Sequence, residues 1–158
     1  MPTGTVQTIL CVKAATGVDG AVLSALASVA DKIAPSEISQ VIEAFKALPG
    51  VVEAIDASRS DPDNLYVTTQ SASGRDQAAW PGGGSDVPML PEQSVSPGIG
   101  VDFGATQNIS LWDYDSVSDD DHLGSIMMEA ADQGMGPIAK KASSTVEGSL
   151  YFVTYQVD

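Results

Sequence analysis

Two runs near the ends of the chain alternate in a period of two, and that limits the fold more than any other feature. In TVQTILCVK, residues 5 to 13, Val6, Thr8, Leu10 and Val12 share one face, while Gln7, Ile9, Cys11 and Lys13 share the other. Successive side chains of a strand point to opposite faces, so this run predicts a strand. At the far end, Tyr151, Val153, Tyr155 and Val157 alternate with Phe152 and Thr154, which predicts a closing strand. Shorter strands are expected at Val51 to Ile55, at Leu65 to Thr69, and around Ile109 and Leu111.

Between the first strand and these, the period changes. Val22, Leu26, Val29 and Ile33 follow helical spacing, as do Ile38, Val41, Ile42, Phe45 and Leu48. Pro35 sits near the start of the second run and Pro49-Gly50 closes it. The reading is a helical hairpin inserted at residues 20–49, with its apolar stripe packed on the rest of the protein. An amphipathic membrane helix is the rival reading, and the acidic polar faces argue against it. Residues 81 to 100 hold four prolines and five glycines, an irregular connection that Trp80 is expected to anchor. Strands joined by such segments predict a mostly β protein, an antiparallel β-sandwich forming a single domain over residues 1–158.

Composition narrows function by exclusion. The net charge is −14 and there are only seven Lys and Arg, too few for the basic face that nucleic acid requires. Contact with an anionic membrane is repelled as well, unless something inverts the local charge. No apolar run approaches the roughly 20 residues of a transmembrane span. The first residues lack a basic segment before their apolar patch, so they read as a strand and not as a signal peptide. The expectation is a soluble chain, cytoplasmic at synthesis, with release by another route left open. Cys11 is the single cysteine, which rules out an intrachain disulfide and makes any metal site one of oxygen donors. There is one histidine, no Ser/His/Asp arrangement in a familiar context, no Gly-Lys phosphate motif and no zinc spacing, so no enzyme is expected. His122 reads as a loop residue facing solvent, able to tune its surroundings near neutral pH.

Charge is concentrated in two loops. Asp56, Asp61 and Asp63 lie in the first, and Asp113, Asp115, Asp119, Asp120 and Asp121 in the second; together they are eight of the 21 acidic residues, opposed only by Arg59. Two carboxylates about 4 Å apart repel by about 4 kcal/mol at an effective dielectric near 20. A solvated acidic loop is the ordinary explanation of such a run. Here, however, the acids alternate with small polar residues directly after a strand. A divalent cation relieves the repulsion, and calcium, which takes roughly 6–8 oxygen ligands in irregular geometry, suits a crowded carboxylate cage better than magnesium does.

Three motifs compete for DYDSVSDDDHLG. An EF-hand counted from Asp113 requires Asp or Asn, Gly and Glu where the chain has Val117, Ser118 and Gly124. An aspartyl-phosphate enzyme starts with an apolar strand ending in Asp-x-Asp, as LWDYDSV does, but only 45 residues follow Asp113 and they read as β-strand protein. The third fits best. LWDYDSVSDDDHLGS resembles a calcium loop of C2 domains: Asp113 and Asp115 match paired ligands, Asp121 a third, and Leu123-Gly124 the closing pair. DASRSDPDNLYV resembles the earlier calcium loop through Asp56, Asp61-Pro62 and Tyr66-Val67, with an Asp-Asn-Leu insertion that leaves Asp61 and Asp63 both open as the ligand. The match covers about 30 residues, and the helical hairpin is foreign to the family.

The resemblance implies a C2-like sandwich with both loops at one rim. It implies that Asp56, Asp61, Asp113, Asp115 and Asp121 hold one or two Ca2+ ions, with Asp63 a further candidate. It implies docking to a phospholipid membrane or a protein partner, and it places Val117 at the loop tip as a membrane contact. The alternative is a calcium-stabilised structural subunit of a larger assembly, such as one component of a membrane-acting, multi-component toxin.

Overall fold

The computed structural model describes residues Met1 to Asp158. In chain order it has β1 (Thr3–Lys13), α1 (Gly20–Ser28), β2 (Lys32–Ile33), α2 (Ile38–Lys46), α3 (Val51–Ser58), β3 (Asp63–Thr68), β4 (Val87–Met89), β5 (Ser94–Val95), β6 (Ile99–Asp102), β7 (Thr106–Asp113), β8 (Asp121–Glu129), β9 (Ile138–Ser143) and β10 (Leu150–Val157). Ten strands form two antiparallel sheets. The six-stranded sheet runs β2-β9-β10-β1-β5, with β6 also paired to β1; the four-stranded sheet runs β4-β3-β7-β8. The mostly β sandwich with a small helical insert is therefore the observed architecture.

Two apolar layers hold it together. Between the sheets lie Ile9, Cys11, Leu65, Leu111, Tyr151 and Val153 among others. On the opposite face of the six-stranded sheet the helices pack Leu26, Phe45 and Ile55 onto Val12, Leu150 and Phe152. The alternation in β10 sorts its side chains as expected, tyrosines and valines inward, Leu150 and Phe152 toward the helices. The alternation in β1 does not run unbroken. Its register against β10 shifts between Val6 and Thr8, and this bulge brings Val6 and Ile9 to the same inter-sheet face.

The insert differs from a helical hairpin over 20–49. α1 and α2 are separated by β2, which pairs with β9, and a third helix follows. That third helix replaces the short strand expected at Val51 to Ile55. Two adjacent β-branched valines suggest a strand, but Gly50, at φ +79°, starts a helix that buries Val51, Ile55 and Ser58 on one face. Lys141 donates to the carbonyls of Leu26 and Val29 at the end of α1, and Lys32 pairs with buried Asp132 at 2.7 Å, so the insert is bound to the sheet at polar points as well.

β8 and β9 belong to different sheets, and the two come together at Gly124. This residue has φ +144°, and a Cβ there would collide with the Ser143 amide and the Ala142 carbonyl carbon. We expect Gly124→Ala to destabilise the protein by roughly 1–3 kcal/mol in a urea titration. Gly100→Ala, where a Cβ meets nothing within 4 Å, should stay within about 0.5 kcal/mol of the parent.

Candidate cation-binding cleft

β3 and β7 pair so that Leu65 lies opposite Asp113 and Tyr66 opposite Trp112. This register brings the start of β3 beside the end of β7, and so joins the two acidic segments. A cleft of about 400 Å³ opens there, lined by Asp61, Asn64, Asp113, Asp115, Ser116 and Asp121 among others. No lysine or arginine lines it.

The four lining aspartates are not equivalent. Asp61 is exposed, and neither it nor Asp121 accepts a hydrogen bond from another protein group. Asp113 accepts from the Asn64 amide through Oδ1 at 2.7 Å, which leaves Oδ2 free. Asp115 folds onto its own loop: Oδ1 accepts from the Val117 and Ser118 amides and Oδ2 from the Ser118 hydroxyl. Those bonds hold its carboxyl below the usual range. Burial, aided by the charges of Asp121, Asp61 and Asp115, pushes the Asp113 carboxyl up to about 6 against the pull of the Asn64 amide. Asp121 is raised too, by burial and by Asp115 and Asp120.

The other expected site residues lie elsewhere. Asp63 is 1% exposed and forms part of the floor behind the cleft, accepting from the Ala15 amide at 3.0 Å and the Tyr151 hydroxyl at 2.5 Å. Burial raises its carboxyl to about 7, although both donors pull it down; Asp113 and Asp61 add to the rise. Asp56 is exposed on α3, 3.4 Å from Arg59, outside the cleft lining. Val117 stands at the loop tip, 93% exposed. His122 points away from the cleft: Nε2 is 2.6 Å from the Ser125 hydroxyl, and the ring centroid is 4.9 Å from that of Trp112.

Three further participants emerge from the structure, two of them without any signal in the sequence and the third, Asp120, visible there only as part of the acidic run. Glu147, in the turn between β9 and β10, is raised by burial and by the charge of Asp121, so that turn belongs to the same rim. Asp120, one more acid in a run of three, is a tether: it accepts from the Asp115 amide and from the Tyr66 hydroxyl. Lys13 is buried behind the rim, where its ammonium donates to the carbonyls of Ala14 and Gly148 and to the Thr16 hydroxyl.

The donors are oxygen atoms, which suits a hard cation such as calcium. No three acidic, histidine or cysteine side chains converge as tightly as a bound ion requires, so ligation needs side-chain rotation, most of all by Asp115. No model of a known protein family matches the chain, and no curated protein sequence matches it.

The raised carboxyls fix the pH response of the metal-free protein. A group whose folded pKa lies above its unfolded value binds protons more tightly when folded, so stability falls as pH rises through that interval. For Asp63 and Asp113 the interval runs from about 4 to about 7. Asp115 and Asp132, both held low, act in the opposite sense below that window, and His122, lowered by burial, opposes the drop within it. In urea titrations with a chelator present, we expect stability to drop by on the order of 1–3 kcal/mol between pH 4.5 and 7.5. Asp63→Asn should flatten that drop; an unchanged slope would contradict the assignment.

Proposed function

We propose that the cleft binds calcium and that the loaded rim is a non-catalytic docking module for an anionic phospholipid surface. The observation that carries this is the disposition of charge: four aspartates from two segments line one cleft, and every basic side chain of the protein is engaged elsewhere. Six of the seven lie within 4 Å of a carboxylate outside the cleft, and the seventh, Lys13, is bound to backbone and hydroxyl oxygens. A cation that neutralises the cleft must therefore come from solution. One calcium adds two positive charges to a rim that otherwise repels anionic lipid, and leaves coordination positions that a lipid phosphate can fill.

Two exposed valines favour a lipid surface over a purely structural ion. Val117 and Val146, 93% and 76% exposed, lie on the loops that carry Asp121 and Glu147. Burying one valine contributes roughly 1.5–3 kcal/mol at most, enough to assist an electrostatic contact and too little to anchor alone. No helix of the protein is long and apolar enough to cross a membrane.

Thermal melting with added calcium chloride tests the ion. At about 100 times the dissociation constant the stabilisation should be about 2.7 kcal/mol. Asp61→Asn combined with Asp121→Asn should abolish the gain while the metal-free protein stays folded, because neither carboxylate holds a protein hydrogen bond. Sedimentation with phosphatidylserine vesicles tests the surface. Pelleting should require calcium and should be lost in Val117→Asp. Stabilisation without pelleting would instead favour a calcium-fastened subunit whose interface is with protein.

A further inference from the structure

The helical insert meets the large sheet over a cavity that shares no residue with the acidic cleft. Leu10 and Val12 of β1, Ile42 of α2 and Ile55 of α3 form its apolar walls, and Lys46 and Glu92, both in contact with solvent, form its mouth. Its volume is about 150 Å³, the size of an apolar protein cavity that holds one benzene ring. The helices explain the layout. Ile42 and Lys46 are four residues apart on α2 and share a face, and Ile55 and Arg59 stand in the same relation at the end of α3. Each helix thus supplies an apolar wall and, one turn later, a cation. The two cations converge on a single atom: Glu92 Oε1 is 3.0 Å from the Arg59 guanidinium and 3.9 Å from the Lys46 ammonium. At that distance Lys46 makes no hydrogen bond, and it is the one basic side chain of the seven without one. Glu92 is held there against backbone preference. Its φ is +78°, the one positive value outside glycine. Two bonds fix it, from the Glu92 amide to the Cys11 carbonyl at 2.8 Å and from the Cys11 amide to the Gln93 carbonyl at 2.9 Å. The Glu92 side chain is 66% exposed, so its carboxylate is free to leave the cations while the backbone stays in place.

We propose that this cavity binds a small monocarboxylate with a compact apolar tail, the tail lying among Leu10, Val12, Ile42 and Ile55 and the carboxylate on Lys46 and Arg59, in the place of Glu92 Oε1. The walls suit a hydrocarbon group, and the volume limits its buried part to about six carbon atoms. Glu92 marks the position between the two cations that a carboxylate oxygen takes. Lys46 has three donors and no acceptor within hydrogen-bond reach, so a ligand oxygen that comes closer than Glu92 does supplies a charge-assisted bond that the protein leaves unmade. Glu92 then acts as a competitor. It swings into solvent and gives up its contact with Arg59, an exposed pair that contributes little. Arg59 keeps Asp56 as a partner at 3.4 Å, which holds it at the mouth. The site stands apart from the calcium reading of the cleft and uses none of its residues.

Methyl NMR and calorimetry on the full chain at neutral pH, with hexanoate, hexanol and acetate as probes, test this. Hexanoate should give saturable shifts in the methyl groups of Leu10, Val12, Ile42 and Ile55. It should bind about tenfold more tightly than hexanol, which has the tail without the charge. Acetate, which has the charge without the tail, should show no saturable binding over the same concentrations. Lys46→Met keeps the aliphatic stem and removes the ammonium, so it should bring hexanoate to the level of hexanol and leave hexanol unchanged. Glu92→Gln removes the competing carboxylate and should tighten hexanoate severalfold. Ile42→Trp occupies much of the cavity and should abolish binding of both probes, with thermal melting to show that it folds; should it not fold, the Lys46 and Glu92 variants decide the matter. Hexanol binding as tightly as hexanoate overturns the carboxylate assignment. Hexanoate shifts that do not saturate, or that fall away from these four residues, overturn the site.

Discussion

Basic side chains are scarce, and the rest of the structure depends on where they are placed. Seven Lys and Arg face 21 Asp and Glu. Nearly every cation sits at a joint between elements. Lys32 and Lys141 fasten the helical insert to the large sheet through Asp132, Asp31 and the end of α1. Lys46 and Arg59 converge from the insert on Glu92. Lys140 reaches from β9 to the Met127 carbonyl and to Glu129 on β8, across the seam between the sheets. Arg75 closes residues 75–86 on themselves through Asp86. The exposed pairs among these, such as Arg59–Glu92, contribute little each, about 0–1 kcal/mol, so their importance lies in position more than in strength. With all seven committed, the remaining acids at the rim face only one another.

The rim is built in two tiers. Behind it, Lys13 and Asp63 are buried together with Tyr151. Burial lowers the Lys13 ammonium and raises the Asp63 carboxyl, while the charge of Asp63 favours the charged form of Lys13. The ammonium is satisfied by carbonyls from two separate loops, at Ala14 and Gly148, and so it holds those loops at the back of the cleft. In front stand Asp61, Asp113, Asp115 and Asp121, in contact with solvent. The tier behind fixes the backbone and the tier in front supplies the field. Of the two acids left open by the sequence, Asp61 lines the cleft and Asp63 serves the tier behind.

The fold was legible where side-chain period alone decides the outcome. β10 needed only its alternation, because both of its faces are covered by apolar layers. β1 reads correctly as a strand, but the face assigned to Val6 does not hold, since a bulge leaves no trace in a run where Thr8, Ile9, Leu10 and Cys11 all tolerate burial. α3 was missed because Val51 and Val52 suggest a strand locally, whereas its burial spacing and the left-handed Gly50 are set by the helix layer. Asp61, Asp113, Asp115 and Asp121 could be grouped in advance because acidic loops follow or precede paired strands, and the β3–β7 register joins them. Asp56 is grouped with them by chain proximity and by the calcium-loop resemblance, and the extra helix carries it away to Arg59. Lys13 enters through a contact with a segment more than 100 residues away and Glu147 through the charge of Asp121 on another loop, which no local pattern encodes.

The division of labour among the loop aspartates bears directly on whether the charge itself is needed. Asp115 and Asp120 organise the loop by accepting hydrogen bonds from amides and hydroxyls. Asn or Ser serve in such turns as well, with no net charge. Asp61 and Asp121 accept nothing from the protein, and Asp121 is placed where its ionised form is disfavoured. An amide at Asp121 would keep the shape and remove part of the repulsion, so that carboxylate is a net cost to the metal-free fold. That cost is offset only when a positive charge enters the cleft, and the chain has none to spare. On the proposed function, this arrangement is one half of an ion-binding equilibrium, in which the folded rim carries an electrostatic load that occupancy relieves.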